Sequence, residues 1–123
     1  QSDRVAMDAR TLAASTSEDL DLQAMTTTPD GTALALVELR SLTIKASASN
    51  TDNLEIGPGA SNGLTSLFAD ASDRMKVAPG ATVTLIAPKD ASYPVSGTIK
   101  VLSVSNTSSS SSSYTILVLG TSA

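Results

Sequence analysis

The stretch ATVTLIA at residues 81–87 decides the fold class of this chain. Its side chains alternate between two faces, with Val83, Leu85 and Ala87 on one and Thr82, Thr84 and Ile86 on the other. An alternation with period two, in a segment rich in β-branched residues, is typical of a half-buried β-strand. This stretch therefore predicts a strand that packs one face on a core.

Similar strand patterns lie on both sides of this stretch, separated by turn signals. The predicted strands lie at residues 19–22, 33–48, 54–56, 74–77, 98–104 and 114–119. The predicted turns lie at residues 26–31, 50–53, 57–59 and 78–80, where Pro, Gly, Asn and Asp cluster. Seven or eight short strands with a turn about every eight to twelve residues predict an all-β, antiparallel β-sandwich. Jelly-roll-like and immunoglobulin-like topologies both remain open.

Two of these segments carry irregularities. In residues 33–48, Ala35, Val37 and Leu39 share one phase, whereas the apolar residues from Leu42 onward share the other. A strand changes face only at an irregularity, so the sequence predicts a bulge near Arg40 and Ser41. Residues 60–71 carry Leu64, Leu67 and Phe68 at helix-like spacing, which fits one helical turn or an irregular loop that plugs the end of the sheet.

The C-terminal pair of strands encloses a run of six serines, Ser108–Ser113. Between two strands, this run predicts an exposed and solvated hairpin loop. It overlaps the triplet Asn106-Thr107-Ser108, an N-glycosylation signal that has meaning only in a eukaryotic secretory setting. The final strand is apolar on both faces except for Thr115, so we expect it to be covered on both sides.

The beginning of the chain is more polar and less periodic than the rest. We predict a polar N-terminal arm or extension at residues 1–32 and a β-sandwich domain at residues 33–123. An arm of this kind could reach a neighbouring subunit or shell.

The composition excludes several kinds of chemistry. The chain has 123 residues and contains no His, Cys or Trp, so it has no Ser-His-Asp triad, Cys-His nucleophile or thiolate zinc site. The net charge of −4 argues against binding to nucleic acid, and no apolar run approaches the ~18 residues of a membrane span. We therefore predict no enzymatic activity, no catalytic residues, no cofactor, no metal, no nucleic-acid partner and no membrane partner.

Acidic side chains are the first candidates for a site. Asp19 and Asp21 share one face if they lie in a strand, and paired carboxylates can bind Ca²⁺ or act as acid and base. Asp70 and Asp73 would join Asp52 only if the fold brought them together. Because Ca²⁺ requires six or more oxygen ligands, we expect solvated surface charges here.

Glycine turns and basic residues give no stronger signal. Gly57-Pro58-Gly59 and Pro79-Gly80 lack the following Lys-Ser/Thr of a phosphate-binding loop, so they predict turns. The basic residues are spread singly and without interleaved aromatic residues, as expected of edge-strand protection: Arg40, Lys45, Arg74, Lys76, Lys89 and Lys100. Tyr93 precedes Pro94 and is either an exposed platform for a sugar or a ring that caps the sandwich.

Residues 52–123 resemble small structural proteins of tailed bacteriophages in the layout of their segments. The segments that carry this resemblance are Leu54–Gly57, Ser61–Leu64, Val77–Leu85, Ala87–Val95 and Ile116–Ala123. The resemblance implies a virion component, such as a capsid decoration, accessory or attachment protein, that is commonly an oligomer. It supplies no catalytic residues.

The sequence and this resemblance together predict a non-enzymatic structural protein of a virus particle. We expect it to form a homo-oligomer such as a trimer, to dock on a major capsid or other virion protein, and to be assembled in the host cytoplasm. The alternative is an extracellular or surface β-sandwich module that binds glycan.

Overall fold

The structure is a computed structural model that describes residues 4–29, 31–68, 70, 72–87 and 93–121. These residues form nine strands and no helix. The strands are β1 (Arg4–Leu12), β2 (Thr16–Asp21), β3 (Glu38–Ala46), β4 (Leu54–Pro58), β5 (Met75–Val77), β6 (Thr82–Ile86), β7 (Tyr93–Pro94), β8 (Val101–Asn106) and β9 (Ser112–Thr121). Among the described residues there is accordingly no helix that is long and apolar enough to cross a membrane.

The strands form two antiparallel sheets. The first sheet has the order β1-β9-β3-β6, with the short β7 also paired to β3, and the second has the order β2-β8-β4-β5. Without β7, the pairings are nested: the first strand with the last, the second with the next to last, and so inward. This is the double-sheet arrangement of a jelly roll and not the immunoglobulin order. The predicted antiparallel β-sandwich is confirmed.

The core lies between the two sheets and is aliphatic. Leu42, Ile44, Ile116 and Val118 point inward from the first sheet, and Ile56 is one of the side chains that face them from the second. Because successive side chains of a strand point to opposite faces, the alternate residues of the first sheet point outward.

The irregularity predicted in residues 33–48 is present. The register between β3 and β9 shifts between Leu39 and Ser41, which places a bulge at Arg40. Only residues 38–46 form the strand, since Ala35 has a left-handed φ of 48° that ends any extended run before it. As a result, Leu34 and Leu36 are buried in the core. The predicted alternation placed Ala35 and Val37 on the same face as Leu39, but both are exposed.

The N-terminal residues differ from the predicted arm. β1 pairs along its whole length with β9, and β2 pairs with β8, so residues 4–21 contribute one strand to each sheet. The sequence looked aperiodic because the inward positions of β1 hold Asp8 and Arg10 as well as Ala6 and Leu12. A core-facing ion pair hides the alternation that normally identifies a strand.

Two further segments depart from expectation in detail. The inner side chains of β9 are buried, but Leu117 and Leu119 remain half-exposed, so the predicted cover on the outer face is missing among the described residues. Residues 59–68, 70 and 72–74 contain no helix, so of the two forms that the sequence left open they match the irregular loop and not the helical turn. Leu64 is buried there, and Leu67 and Phe68 pack against the core.

Candidate interaction surface

The outward side chains of β1, β9, β3 and β6 form a surface that we call the outer face of the first sheet. Its members are Val5, Met7, Ala9, Thr11, Glu38, Ser41, Thr43, Lys45, Thr82, Thr84, Ile86, Ser113, Thr115, Leu117, Leu119 and Thr121. Among these side chains Glu38 and Lys45 are charged, and they lie at opposite ends of β3. The outer face between these two residues is therefore free of charge.

Apolar side chains are concentrated at one end of this face. Val5 pairs with Leu119 and Met7 pairs with Leu117 across the β1–β9 ladder, which makes one continuous apolar group. Met7 is 61% exposed, and Ile86 on β6 is 75% exposed. Exposed apolar groups of this kind on a soluble protein mark interaction sites more often than isolated apolar residues do.

The outer face of the second sheet has the opposite character. Its outward positions carry Asp19, Asp21 and Glu55 together with small residues such as Ser103 and Ser105. A strand face built from serine and carboxylates remains hydrated without a partner. The two outer faces thus differ strongly in polarity, and the first is the candidate interaction surface.

An apolar cavity of about 340 Å³ lies at the edge of the sandwich where β6 and β5 are the end strands of their sheets. Val83 and Leu85 line it from the first sheet, Met75 from the second, and Leu67 and Phe68 from the irregular segment. This edge of the sandwich is therefore apolar and incompletely filled.

The opposite edge of the sandwich is closed by a charged cluster between β1 and β2. The Arg10 guanidinium donates to the Glu18 carboxylate at 2.9 Å and to Asp8 Oδ2 at 2.7 Å. The Tyr114 hydroxyl donates a short hydrogen bond to Glu18 Oε2. These bonds to two carboxylates raise the pKa of Arg10 further above its usual range. The cluster joins the two sheets, because Glu18 lies in the second sheet and the other members in the first.

Burial of the Tyr114 side chain, followed by its bond to Glu18, raises the pKa of its phenol above the ordinary value. The folded state therefore keeps the phenol proton at a pH where the unfolded chain, with a pKa of about 10, loses it. Its contribution to stability is complete below about pH 10 and declines as the pH rises further. This gives a testable pH dependence.

We expect the free energy of unfolding to fall by about 1 kcal/mol more in the wild type than in Tyr114→Phe between about pH 10 and pH 11. The measurement is urea unfolding at a series of alkaline pH values. Tyr93→Phe is the matched control, because it removes the other phenol and leaves the cluster intact. Identical pH slopes for the wild type and Tyr114→Phe would contradict this prediction.

The serine run differs from the solvated loop that the sequence predicted. Ser108 and Ser112 are buried, and both hydroxyls donate to Asn106 Oδ1, at 2.9 and 3.2 Å. The Asn106 amide nitrogen donates to the carbonyl oxygens of Leu12, Ala13 and Ser110 at 2.9–3.2 Å. Asn106 is only 1% exposed, so the N-glycosylation triplet is not accessible in the folded chain.

The acidic candidates do not converge. Asp19 and Asp21 lie on the outer face of β2, as predicted for a strand, and Asp21 pairs with Lys100 at 3.2 Å. Asp70 and Asp73 accept hydrogen bonds from backbone amides of their own turn. In the described ranges, no group of three or more acidic residues is placed to hold a metal ion.

The glycine segments have structural roles. Gly80 has a φ of 79° and forms the predicted turn after Pro79. Gly57 and Pro58, by contrast, lie within β4 and not in a turn. A Cβ on Gly57 would lie 2.4 Å from the Asp73 carbonyl oxygen, so glycine is required there because the backbone of the neighbouring segment lies across the strand.

The remaining basic residues and Tyr93 form no site. Lys45 and Lys76 lie on β3 and β5, Arg40 at the bulge of β3, and Lys100 just before β8, while Lys89 lies outside the described residues. Tyr93 pairs with Leu39 in the first sheet and packs half-buried against the core. Its ring is therefore partly buried and not a fully exposed platform for a sugar.

Sequence reasoning missed both polar networks. The spacing of Asp8 and Arg10, two residues apart and opposite in charge, was the available signal for the charged cluster, but their partner Glu18 could not be inferred. Asn106 carried no signal, because its partners lie in segments whose proximity depends on the fold.

Comparison with known proteins assigns no family to this chain. No protein-family model and no curated protein matches the sequence. Among solved structures, the chain is similar to vertex protein P5 of PRD1 (15% identity, 98% of this chain and 99% of that chain, TM-score 0.48). It is also similar to a chain from the structure of tomato aspermy virus, with 10% identity over 94% of this chain and 76% of that chain and a TM-score of 0.47. A third similar structure is a cupin domain from Bordetella pertussis Tohama I, with 9% identity over 97% of this chain and 84% of that chain and a TM-score of 0.49. Two of these three are viral structural proteins, but at this level of similarity they assign no function to this chain.

Proposed function

We propose that this chain is a non-enzymatic structural protein of a virus particle, namely a phage capsid decoration or accessory protein. In this role it assembles as a homo-oligomer and docks on the capsid shell. The observation that carries the proposal is the apolar outer face of the first sheet, where Met7 and Ile86 are largely exposed.

This face has the character of a docking surface. Its apolar end combines Val5, Met7, Leu117 and Leu119, whose cross-strand pairing makes them contiguous. Lys45 lies at the other end of the ladder, opposite Thr82 and Thr115, so it does not interrupt the apolar group. Glu38 lies at the apolar end, where it pairs with Arg40 and accepts a hydrogen bond from Thr121. Burial of apolar area against another protein stabilises association by roughly 25 cal/mol per Å² before the costs of binding.

The fold alone does not select this function, because jelly rolls occur in viral capsid proteins, lectins and cupins alike. Three properties of this chain favour the structural role. The sequence lacks His and Cys, the two outer faces differ in polarity, and the apolar groups of the first sheet are contiguous across its strands.

The test is binding to purified capsid shells of the virus that encodes the chain, measured by co-sedimentation. We expect the wild type to sediment with the shells and Met7→Glu to bind at least about tenfold more weakly, because a carboxylate would be buried without a partner. The matched control is Ser105→Glu, which adds the same charge to the polar outer face of the second sheet.

Two results would contradict the proposal. One is a wild-type chain that fails to bind shells, and the other is a Met7→Glu variant that is folded by circular dichroism and binds as tightly as the wild type. The control should bind within about twofold of the wild type, since its substitution lies on the opposite sheet.

A further inference from the structure

The edge of β6 that faces away from β3 carries unpaired backbone groups. The hydrogen bonds from Ala46 N to Ala81 O (3.0 Å) and from Ala87 N to Arg40 O (2.7 Å) fix which residues of β6 bond to β3. Because bonded and non-bonded pairs alternate in an antiparallel ladder, the N–H and C=O groups of Thr82, Thr84 and Ile86 point away from β3. They make no hydrogen bond in the part of the chain that the structure describes.

The other three edges are protected in ways that β6 is not. Each of β1 and β2 carries three charged residues, and the segment after β2 covers β1 where Met7 N donates to Thr27 O at 3.1 Å. The third edge, β5, has only three residues and includes Lys76. β6 reads Thr-Val-Thr-Leu-Ile, with no charge and no proline. Native proteins rarely leave such an edge without a partner strand.

We propose that the free edge of β6 pairs antiparallel with β6 of a second copy of this chain, which joins the first sheets of two copies into one continuous sheet. A two-fold axis would pass beside Thr84, so that Thr84 faces its own copy and Thr82 faces Ile86 of the other. This register forms about six hydrogen bonds between the copies and brings no like charges together. The inference rests on the self-association part of the proposed function and names its contact.

The apolar cavity favours a second copy over an isolated peptide strand. A contact between two five-residue strands is by itself smaller than a stable interface requires. The cavity opens at the same edge, where Met75, Val83 and Leu85 are incompletely buried. A second copy brings an identical apolar edge with it, so side-chain burial adds to the backbone hydrogen bonds.

The first test uses substitutions at the centre of the contact, with the association state measured by sedimentation velocity over a range of concentrations. Thr84→Pro removes an outward N–H and leaves the bonds between β6 and β3 in place, and proline is tolerated at such edge positions. Thr84→Lys would place two ammonium groups opposite each other across the axis. We expect either variant to raise the dissociation constant of the dimer at least about tenfold.

The matched control is Thr43→Lys. Thr43 pairs directly with Thr84 and lies on the same outer face, but in the central strand β3. We expect its dissociation constant to stay within about twofold of the wild type. Equal disruption by Thr43→Lys and Thr84→Lys would overturn the edge contact, because it would assign the interface to the face of the sheet.

The second test is residue-resolved hydrogen exchange of the wild-type chain, which stays informative even if a variant fails to fold. We expect the amides of Thr84 and Ile86 to be protected in the concentrated oligomer and to lose protection on dilution. A wild type that is monomeric at all concentrations would overturn the inference, as would an oligomer in which these amides exchange as fast as in the monomer. Neither result bears on shell docking, which the Met7→Glu experiment measures separately.

Discussion

Asn106→Ala is expected to lower the free energy of unfolding by about 3–5 kcal/mol and the melting temperature by roughly 10–20 °C. The Asn106 side chain makes six polar contacts at hydrogen-bond distance: its two N–H hydrogens are shared among three carbonyl oxygens, and Oδ1 accepts from three donors. Its truncation removes the Asn106 partner of the buried Leu12 carbonyl, of the Ser108 amide and of the Ser108 and Ser112 hydroxyls, and each buried group left unsatisfied costs about 1–3 kcal/mol.

The effect is large because Asn106 joins segments that are distant in sequence. Its bonds reach Leu12 and Ala13 at the end of β1, and also the serine segment that leads into β9. β1 and β9 are neighbours in the first sheet, whereas Asn106 ends β8 in the second. The side chain thus holds together one end of both sheets.

Two other asparagines serve as graded controls. Asn50 exchanges two hydrogen bonds with the backbone of Ser113, so Asn50→Ala should cost about 1–2 kcal/mol. The side chain of Asn53 makes no hydrogen bond with any described residue, so Asn53→Ala should change stability by less than about 0.5 kcal/mol. Thermal unfolding followed by circular dichroism measures all three. Equal losses for Asn106→Ala and Asn53→Ala would show that the network does not stabilise the fold.

Gly120→Ala is expected to destabilise the chain by about 1–3 kcal/mol, or more where the backbone resists movement. A Cβ at this position would lie 2.3 Å from the Glu38 carbonyl oxygen and 2.6 Å from Leu36 Cδ2. Leu36 is fully buried, so it has no free space into which it can move.

The site is also the one where β3 changes register. Gly120 pairs with Leu39, and the next pair is Ser41 with Leu119, so the bulge at Arg40 lies beside the glycine. We therefore expect the methyl group of Gly120→Ala to disturb β3 as well as the Leu36 contact. Gly97→Ala is the matched control, because a Cβ there meets no atom within 4 Å. Chemical denaturation measures both variants, and equal midpoints would contradict the role assigned to Gly120.

Local sequence patterns predicted the strands whose inward residues are all apolar. The alternation in residues 82–86 and the phase change around Arg40 correspond to β6 and to the bulge of β3. These predictions succeeded because side-chain alternation is a property of the strand alone and needs no knowledge of its partners. β1 was not predicted because Asp8 and Arg10 occupy inward positions, where a strand normally has apolar side chains. Charged side chains are stable there only because the hydrogen-bonded cluster with Glu18 and Tyr114 surrounds them.

The candidate interaction surface was likewise predictable only in part. The alternation in the sequence identified the outward residues of β6, but it could not indicate that Met7 and Leu117 would lie beside each other on the same face. The unprotected edge of β6 could not be seen either, because an edge exists only once the order of strands is known.

By itself, the sequence determined an all-β chain with an aliphatic core, because periodicity and turn residues act over a few neighbouring positions. Only the tertiary structure decided the nested jelly-roll order, the burial of the serine segment around Asn106 and the exposure of one apolar sheet face. Each of these depends on contacts between distant segments, such as Thr11 with Ser113, which are 102 residues apart, and no local pattern encodes which segments will meet.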